Sequence, residues 1–326
     1  MTRYARLDRT GGPEVIGWFD ETLPPPAAGE VQVRLTAVGL NYIDTYHRGG
    51  VYPVDLPARL GTEAAGVIEA VGDGVQGLSS GMRVGMLGPS RGTYATARNL
   101  PAHEVILLPD GVDDGTAAAI LLKGCTAEFL VERCAEVKAG QIVLVWAAAG
   151  GVGHLLVGWL KAIGAVVIGV AGGADKLASV RDAGVDHVID HRAEDVAARV
   201  REITGGAGVP IVFDGVGMAT WDASLASVSR RGLIVSYGNA GGAVTRVALG
   251  TLASHGSIFV TRPTLFDYYA DSEQRRAGTG RVFAMLRQGA IRPKIGRTFA
   301  LEEAADAHRA LEAGETRGST LLIPQG

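Results

Sequence analysis

The stretch Ile142-Val143-Leu144-Val145-Trp146-Ala147-Ala148-Ala149-Gly150-Gly151-Val152-Gly153-His154 decides the fold. With four aliphatic residues in a row, Ile142–Trp146 reads as a buried strand. The run Ala147 to Gly153 is A-x-x-G-x-x-G, a variant of the G-x-G-x-x-G turn, and Val152–Ile163 continues as an apolar helix. Small residues there permit a tight turn and close approach of backbone to a pyrophosphate. The helix that follows offers free N–H groups and a positive dipole end to the phosphates. A glycine-rich turn alone is weak evidence; set between a strand and a helix it is strong. The duller reading is a strand–helix turn without a ligand.

Downstream, predicted strands at Val166–Val170, His187–Ile189, Ile211–Phe213, Leu233–Ser236 and Ser257–Val260 alternate with predicted helices at Lys176–Ala183, Asp195–Thr204 and Trp221–Val228. Apolar strands alternating with helices imply an α/β fold with a doubly wound parallel sheet. Upstream, Val15–Phe19, Val31–Val38, Ala64–Val71, Arg83–Leu87, Tyr94–Ala97 and Val105–Leu108 are short β-type runs. Turn residues such as Gly72-Asp73-Gly74 and Pro109-Asp110-Gly111 punctuate them, which points to a barrel or sandwich. The character changes at Asp113-Asp114-Gly115-Thr116, a capped helix start rather than an acid pair. The tail reads as helices Arg275–Gln288 and Glu302–Ala313 and a strand Ser319–Ile323. The expected division is 1–123 with 264–326, a discontinuous first domain, and 124–263.

The chain has 326 residues, with 31 basic against 34 acidic side chains and 47% hydrophobic residues. That is enough apolar material for a sizeable core, and the near-neutral charge gives no reason to expect nucleic acid or an anionic membrane as partner. From Ile142 to Ala174 only His154 and Lys161 are strongly polar, which on hydropathy alone reads as a membrane span. The glycines and polar breaks argue instead for strand, turn, buried helix and strand. Cys125 and Cys134 are the only cysteines. A disulfide framework and a four-cysteine zinc site are thereby excluded, and two buried, reduced thiols are expected. Met1 to Arg9 has no apolar signal region, so a cytoplasmic location is expected. No G-x-S-x-G or G-x-x-x-x-G-K-[ST] run is present, so the serine-hydrolase and P-loop readings find no support.

Cofactor choice turns on the second strand's end, Val170-Ala171-Gly172-Gly173-Ala174-Asp175-Lys176. An NAD site usually places an acid at the strand tip to accept from the ribose 2′-OH. None stands there. Lys176 opens the next helix, where a cation opposes the dipole unless an anion is bound. A 2′-phosphate is such an anion, which favours NADP(H). A solvated surface lysine is the alternative, and Asp175 is the acid that argues the other way.

These residues reach a recognisable pattern. Gly39-Leu40-Asn41-Tyr42-Ile43-Asp44-Thr45-Tyr46, Leu60-Gly61-Thr62-Glu63-Ala64-Ala65-Gly66, Ala147 to Gly153, Arg231-Gly232 through Tyr237-Gly238-Asn239, and Val260-Thr261-Arg262-Pro263 stand in that order. In them the chain resembles the zinc-free medium-chain dehydrogenase/reductases of the quinone oxidoreductase (zeta-crystallin-like) group, over nearly its whole length. The resemblance implies a Rossmann sheet plus a discontinuous GroES-like β-barrel domain completed by the tail, with the active site in the cleft between domains. Zinc-dependent relatives have a cysteine where Asn41 stands and Gly-His-Glu where Gly61-Thr62-Glu63 stands. Asn and Thr replace a thiolate and an imidazole poorly, so no metal is expected.

The resemblance also implies roles. Asn41, Tyr46 and Tyr52 would line the nicotinamide and acceptor pocket as the catalytic set, and Thr126 would contact the nicotinamide side. Gly150, Gly151, Val152 and Gly153 would form the pyrophosphate loop. Gly172, Lys176 and His191 would hold the 2′-phosphate; relatives often carry tyrosine at the position of His191, and a protonated histidine adds charge, making affinity pH-dependent. Tyr237, Gly238, Asn239, Val260, Thr261 and Arg262 would line the cofactor site. Relatives place an arginine three residues before Arg317, where Gly314 stands, so Arg317 reads either as a shifted substitute or as a solvated residue. Asn41 reads equally as a turn residue, and Tyr46 and Tyr52 as packing aromatics. The implied activity is NADPH-dependent reduction of a quinone or other small electrophilic acceptor, by zinc-independent hydride or electron transfer. The alternatives are 2-alkenal or enone reduction and a non-catalytic NADPH-binding sensor or structural protein. A homodimer is implied, with Ser257–Val260 as an edge that pairs across a two-fold axis.

Overall fold

The structure is a computed structural model and describes residues 1–325. It divides into two compact units, 1–123 with 270–280 and 293–326, and 124–269 with 281–292. The tail is thus shared between the units, with 281–292 counted in the second.

The second unit is built on the strand that opens the glycine turn. Ile142–Val145 lies inside a six-stranded sheet of order His187–Asp190, Val166–Ala171, Ile142–Val145, Val209–Asp214, Val228–Ser236, Phe259–Thr261. Every neighbouring pair is parallel. Val143, Leu144, Val145, Val167 and Ile168 are fully buried, as strands covered on both faces require. The helix Gly151–Ala162 buries Leu155, Leu156, Val157, Trp159 and Leu160. Each such side chain contributes about 1.5–3 kcal/mol. Trp159 keeps its indole N–H satisfied by donating to Glu132 Oε1 at 2.9 Å. The apolar stretch from Ile142 is therefore strand, turn, helix and strand, and no helix among the described residues is long and apolar enough to cross a membrane. The sequence ran the helix at Trp221 on to Val228; the helix ends at Ser227 and Val228 begins the next strand.

The first unit holds two sheets. The larger runs in the order Ile295–Ala300, Ser319–Ile323, Glu30–Leu40, Glu63–Val71, Arg83–Leu87, Val105–Leu107, with Ala97–Pro101 also on Glu30–Leu40. Ser319–Ile323 pairs antiparallel with Val38–Leu40, Thr320 opposite Leu40, so the tail completes this sheet. The smaller sheet has Thr2–Leu7 between Ile16–Glu21 and Ala58–Arg59. Leu7, Val31, Val33, Val38, Leu60, Ile68 and Leu322 pack in a common core.

Among the strands and α-helices, the sequence reading misses the strands Thr2–Leu7, Ala58–Arg59 and Ile295–Ala300 and the helices Tyr42–Gly49, Leu249–Ser254 and Leu265–Tyr268. The strand expected at Tyr94–Ala97 is displaced to Ala97–Pro101, because Tyr94 points its fully buried side chain into a polar network instead. Asp113 caps its helix as expected, Oδ1 accepting the Thr116 N–H at 2.8 Å. Cys125 is buried, but Cys134 is only partly so.

Candidate active site

In the second unit the site is made of backbone. Gly150 caps the helix that begins at Gly151, and no side chain fills the cap. The first turn's N–H groups are left pointing outward, as an anion site requires. A Cβ on Gly153 would lie 2.2 Å from Ala147 O and 2.9 Å from Ala148 Cα, so only glycine lets helix and turn close together here.

At the end of the neighbouring strand, a Cβ on Gly172 would meet His191 Nε2 at 2.5 Å and Arg192 Nε at 2.9 Å. Lys176 sits in the first turn of the helix Ala174–Asp182. Gly172, His191 and Lys176 were expected from sequence; Arg192 was not. Its signal is its place directly after His191 at a strand's C-terminal end.

Farther along the sheet, Tyr237, Gly238 and Asn239 follow the strand Val228–Ser236, with Val260 and Thr261 opposite Ile234 and Val235. Arg262 ties the two strand ends together, donating through Nη1 to Ser236 O at 2.8 Å. The Asn239 amide, oriented by its neighbours, accepts from Arg262 Nη2 at 3.2 Å and donates to Gly238 O at 2.9 Å. Asp214, 1% exposed, holds the loop before them by accepting the N–H groups of Val216 and Gly217 and the hydroxyls of Thr220 and Ser224. Thr126 lies on the helix Asp114–Glu128, nearly buried.

In the first unit the site is made of side chains. Asn41 is the N-cap of the helix Tyr42–Gly49, and Tyr46 and Tyr52 meet edge to face at 5.2 Å between ring centres. Asn41 donates from Nδ2 to Glu63 Oε2 at 2.9 Å and to Gly39 O at 3.2 Å. Lys123 Nζ donates to the same Glu63 oxygen at 2.9 Å. The Asn41 backbone N–H donates to Asp44 Oδ2 at 2.9 Å. Burial pushes the Asp44 carboxyl up to about 7, although the Asn41 N–H, the Tyr94 hydroxyl and Lys123 pull the other way.

Behind Asp44 the hydrogen-bond directions are fixed. Burial and the nearby Arg48 lower His308 to about 3, so the ring is neutral at ordinary pH. Arg48 donates to His308 Nδ1 at 3.1 Å, hence Nε2 carries the proton and donates to Tyr94 Oη at 2.9 Å. Tyr94 in turn donates to Asp44 Oδ2 at 3.2 Å. Glu312 anchors the far end through two bonds to Arg48, at 2.6 and 3.0 Å. Arg317 is exposed just ahead of Ser319–Ile323.

Comparison with known proteins agrees with this architecture. The family described as alcohol dehydrogenase GroES-like domain matches residues 27–110, and that described as zinc-binding dehydrogenase matches 151–270. A quinone oxidoreductase of Salmonella typhimurium is 44% identical over 99% of this chain and all of its own length. The chain belongs to the quinone oxidoreductase group of the medium-chain dehydrogenase/reductases. The Escherichia coli quinone oxidoreductase, solved in complex with NADPH, superposes with a TM-score of 0.96 at 42% identity, covering 99% of this chain and 100% of that one. A 2-haloacrylate reductase of Burkholderia is 38% identical over both full lengths.

The zinc of that family description does not fit this chain. Among the described residues no group of three or more His, Cys, Asp or Glu is placed to hold a metal. At Asn41 and Glu63 the nearby cation is the Lys123 ammonium, which takes the carboxylate a metal would need.

Proposed function

We propose that this protein is an NADPH-dependent quinone reductase that works without zinc. The observation that carries the reading is the glycine-built phosphate turn with Lys176, His191 and Arg192 at the neighbouring strand end, in a chain similar throughout to quinone oxidoreductases. The uncapped helix at Gly151 takes the pyrophosphate, and the cationic corner takes the 2′-phosphate. In the second unit Tyr237, Asn239, Val260 and Arg262 are the further cofactor contacts, and in the first Asn41, Tyr46 and Tyr52 are the residues for nicotinamide and acceptor.

When bound, NADPH supplies a hydride. A quinone that accepts it and one proton becomes a hydroquinone, with NADP⁺ as the other product. The protein contributes position and exclusion of water. Tyr46, Tyr52 or solvent delivers the proton, so no catalytic triad is required.

The likeness to a 2-haloacrylate reductase favours a second reading, reduction of an activated alkene, with hydride to the β-carbon and proton to the α-carbon. A homodimer through Phe259–Thr261 fits the exposure of Phe259, 61%, on the edge strand of the sheet. A monomer mass in solution would sink that assembly. The reading keeps the protein cytoplasmic, and cell fractionation checks it.

The deciding experiment follows NADPH absorbance with EDTA-treated protein and a simple naphthoquinone. Rapid loss supports the first reading. Loss only with a 2-alkenal supports the second. NADPH binding without turnover on either acceptor leaves a cofactor-binding protein.

A further inference from the structure

We propose that Glu63 and Lys123 are positioning residues that fix the orientation of the Asn41 amide, so that Asn41 meets its ligand through Oδ1, as a hydrogen-bond acceptor. The proposal rests on the reading that Asn41 lines the nicotinamide and acceptor pocket.

Amide orientation is decided by neighbours. Asn41 Nδ2 faces Glu63 Oε2 and Gly39 O, and both are acceptors. Turning the amide over would set Oδ1 against two oxygens, with no donor between them. Both Nδ2 hydrogens are therefore used inside the protein, and Oδ1 is the amide atom left for a ligand. The partner it selects bears an N–H or O–H, such as a carboxamide or the hydroxyl of a reduced quinone.

Asn41 is only 5% exposed, and the groups beneath it are buried too. The Glu63 side chain is 0% exposed and that of Lys123 5%. Glu63 Oε1 accepts the Leu122 N–H at 2.7 Å, so both carboxylate oxygens are held. A Cβ on Gly39 would come within 2.3 Å of Glu63 Oε2, so glycine is what admits the carboxylate. On the other side Asp44 accepts the Asn41 backbone N–H and is itself held by Tyr94. A buried ion pair is a weak source of stability, since apolar replacements often do as well. Its retention is explained by what it holds. Lys123 balances the Glu63 charge, Glu63 holds the NH₂, and the Asp44 network holds the backbone.

The test uses the full chain with Glu63→Gln and, separately, Lys123→Met, each shown to be folded by circular dichroism. Steady-state kinetics are measured with NADPH and naphthoquinone, and hydrogen exchange of the Asn41 side-chain amide in asparagine-labelled protein. In the wild type the Asn41 NH₂ is protected, before and after NADPH is added. Glu63→Gln, whose NH₂ is set against either the Lys123 ammonium or the Leu122 N–H, loosens the hold on the Asn41 amide and loses that protection. Its kcat falls about 10–100-fold, the scale for a misplaced contact near the chemistry, with KM for quinone little changed. Lys123→Met shifts kcat the same way.

Unchanged kcat and unchanged protection in folded Glu63→Gln would overturn the proposal, as would a fall in Tm with wild-type kcat. Rapid exchange of the wild-type amide would overturn it as well. A wild type that reduces no quinone sinks the quinone reading alone. The exchange measurement then still decides the orientation of Asn41.

Discussion

The two units build their sites from opposite materials. In the second, the candidate site depends on what is missing: side chains absent at Gly153 and Gly172 let backbone and cations come close. In the first, it depends on what is added: Glu63, Lys123, Asp44, Tyr94, His308 and Arg48 are charged or polar groups buried around one asparagine. The turn at Gly153 fails sharply, because a Cβ there collides with backbone, whereas at Gly172 it meets the movable ends of His191 and Arg192. A side-chain site is tunable, because each group acts through hydrogen bonds that pH and conservative substitution adjust. Glycine turns recognise a group common to many chemistries, whereas a polar scaffold sets one atom for one partner.

The sharpest way to break this contrast is Gly153→Val. With the Cβ position 2.2 Å from Ala147 O, the turn must open. NADPH affinity by calorimetry is expected to fall more than about 100-fold with the far-ultraviolet spectrum intact, since the pyrophosphate loses several N–H contacts at once. Affinity within about threefold of wild type would mean the turn is not the phosphate site.

Arg192→Ala comes next. Loss of one charge-assisted bond, about 1.5–3 kcal/mol, should weaken NADPH about 10–100-fold and leave NADH unchanged. Equal weakening of both cofactors would move Arg192 away from the 2′-phosphate.

In the first unit the expected effect is one of pH. Asp44 is raised from its ordinary 3.8 to about 7 on folding, so the folded state holds the proton more tightly. Its contribution to stability is full below about pH 4 and is lost as pH rises to about 7. Asp44→Asn removes that titration. The stability of the variant relative to wild type should therefore climb across this window, by up to about 1.4 kcal/mol per pH unit. His308 and His47, lowered to about 3 and about 4 mainly by burial, act in the opposite sense, destabilising as pH falls below their ordinary 6.5. They are common to both proteins and cancel in the difference. A flat difference in Tm from pH 4 to 7 would place the Asp44 titration elsewhere.

Tyr52→Phe is expected to change kcat only a few-fold, because solvent can protonate the product. A loss above about 100-fold would make Tyr52 the general acid.

What the sequence revealed divides along the same line. The turn at Ala147 to Gly153 and the cap at Asp113 rest on near neighbours, and the parallel sheet announces itself through apolar strands that alternate with helices, which periodicity reads well. Lys176 is singled out by its place after the second strand's end, and His191 by the family resemblance. Arg192 went unnoticed beside them, since nothing in one sequence shows it folding back over Gly172. The polar scaffold was illegible for a deeper reason. Glu63 meets Lys123 and Asn41, and Tyr94 meets His308, across long spans of chain. No local pattern encodes such pairings. Tyr94 was even read as part of a strand, because aromatic character suits a sheet as well as it suits a buried hydroxyl.

The pairing of Thr320 with Leu40 also sets an order of assembly during synthesis. The strand that leads into Asn41 emerges early from the ribosome, yet one of its edges waits for a partner made almost 300 residues later. His308 reaches Tyr94 and Arg48 on the same late schedule. Everything needed for the six-stranded parallel sheet has been made by Thr261, well before either arrives. The nascent chain therefore holds all six strands of the parallel sheet, though not yet 281–292 of the same unit, while the half holding Asn41 still lacks a strand.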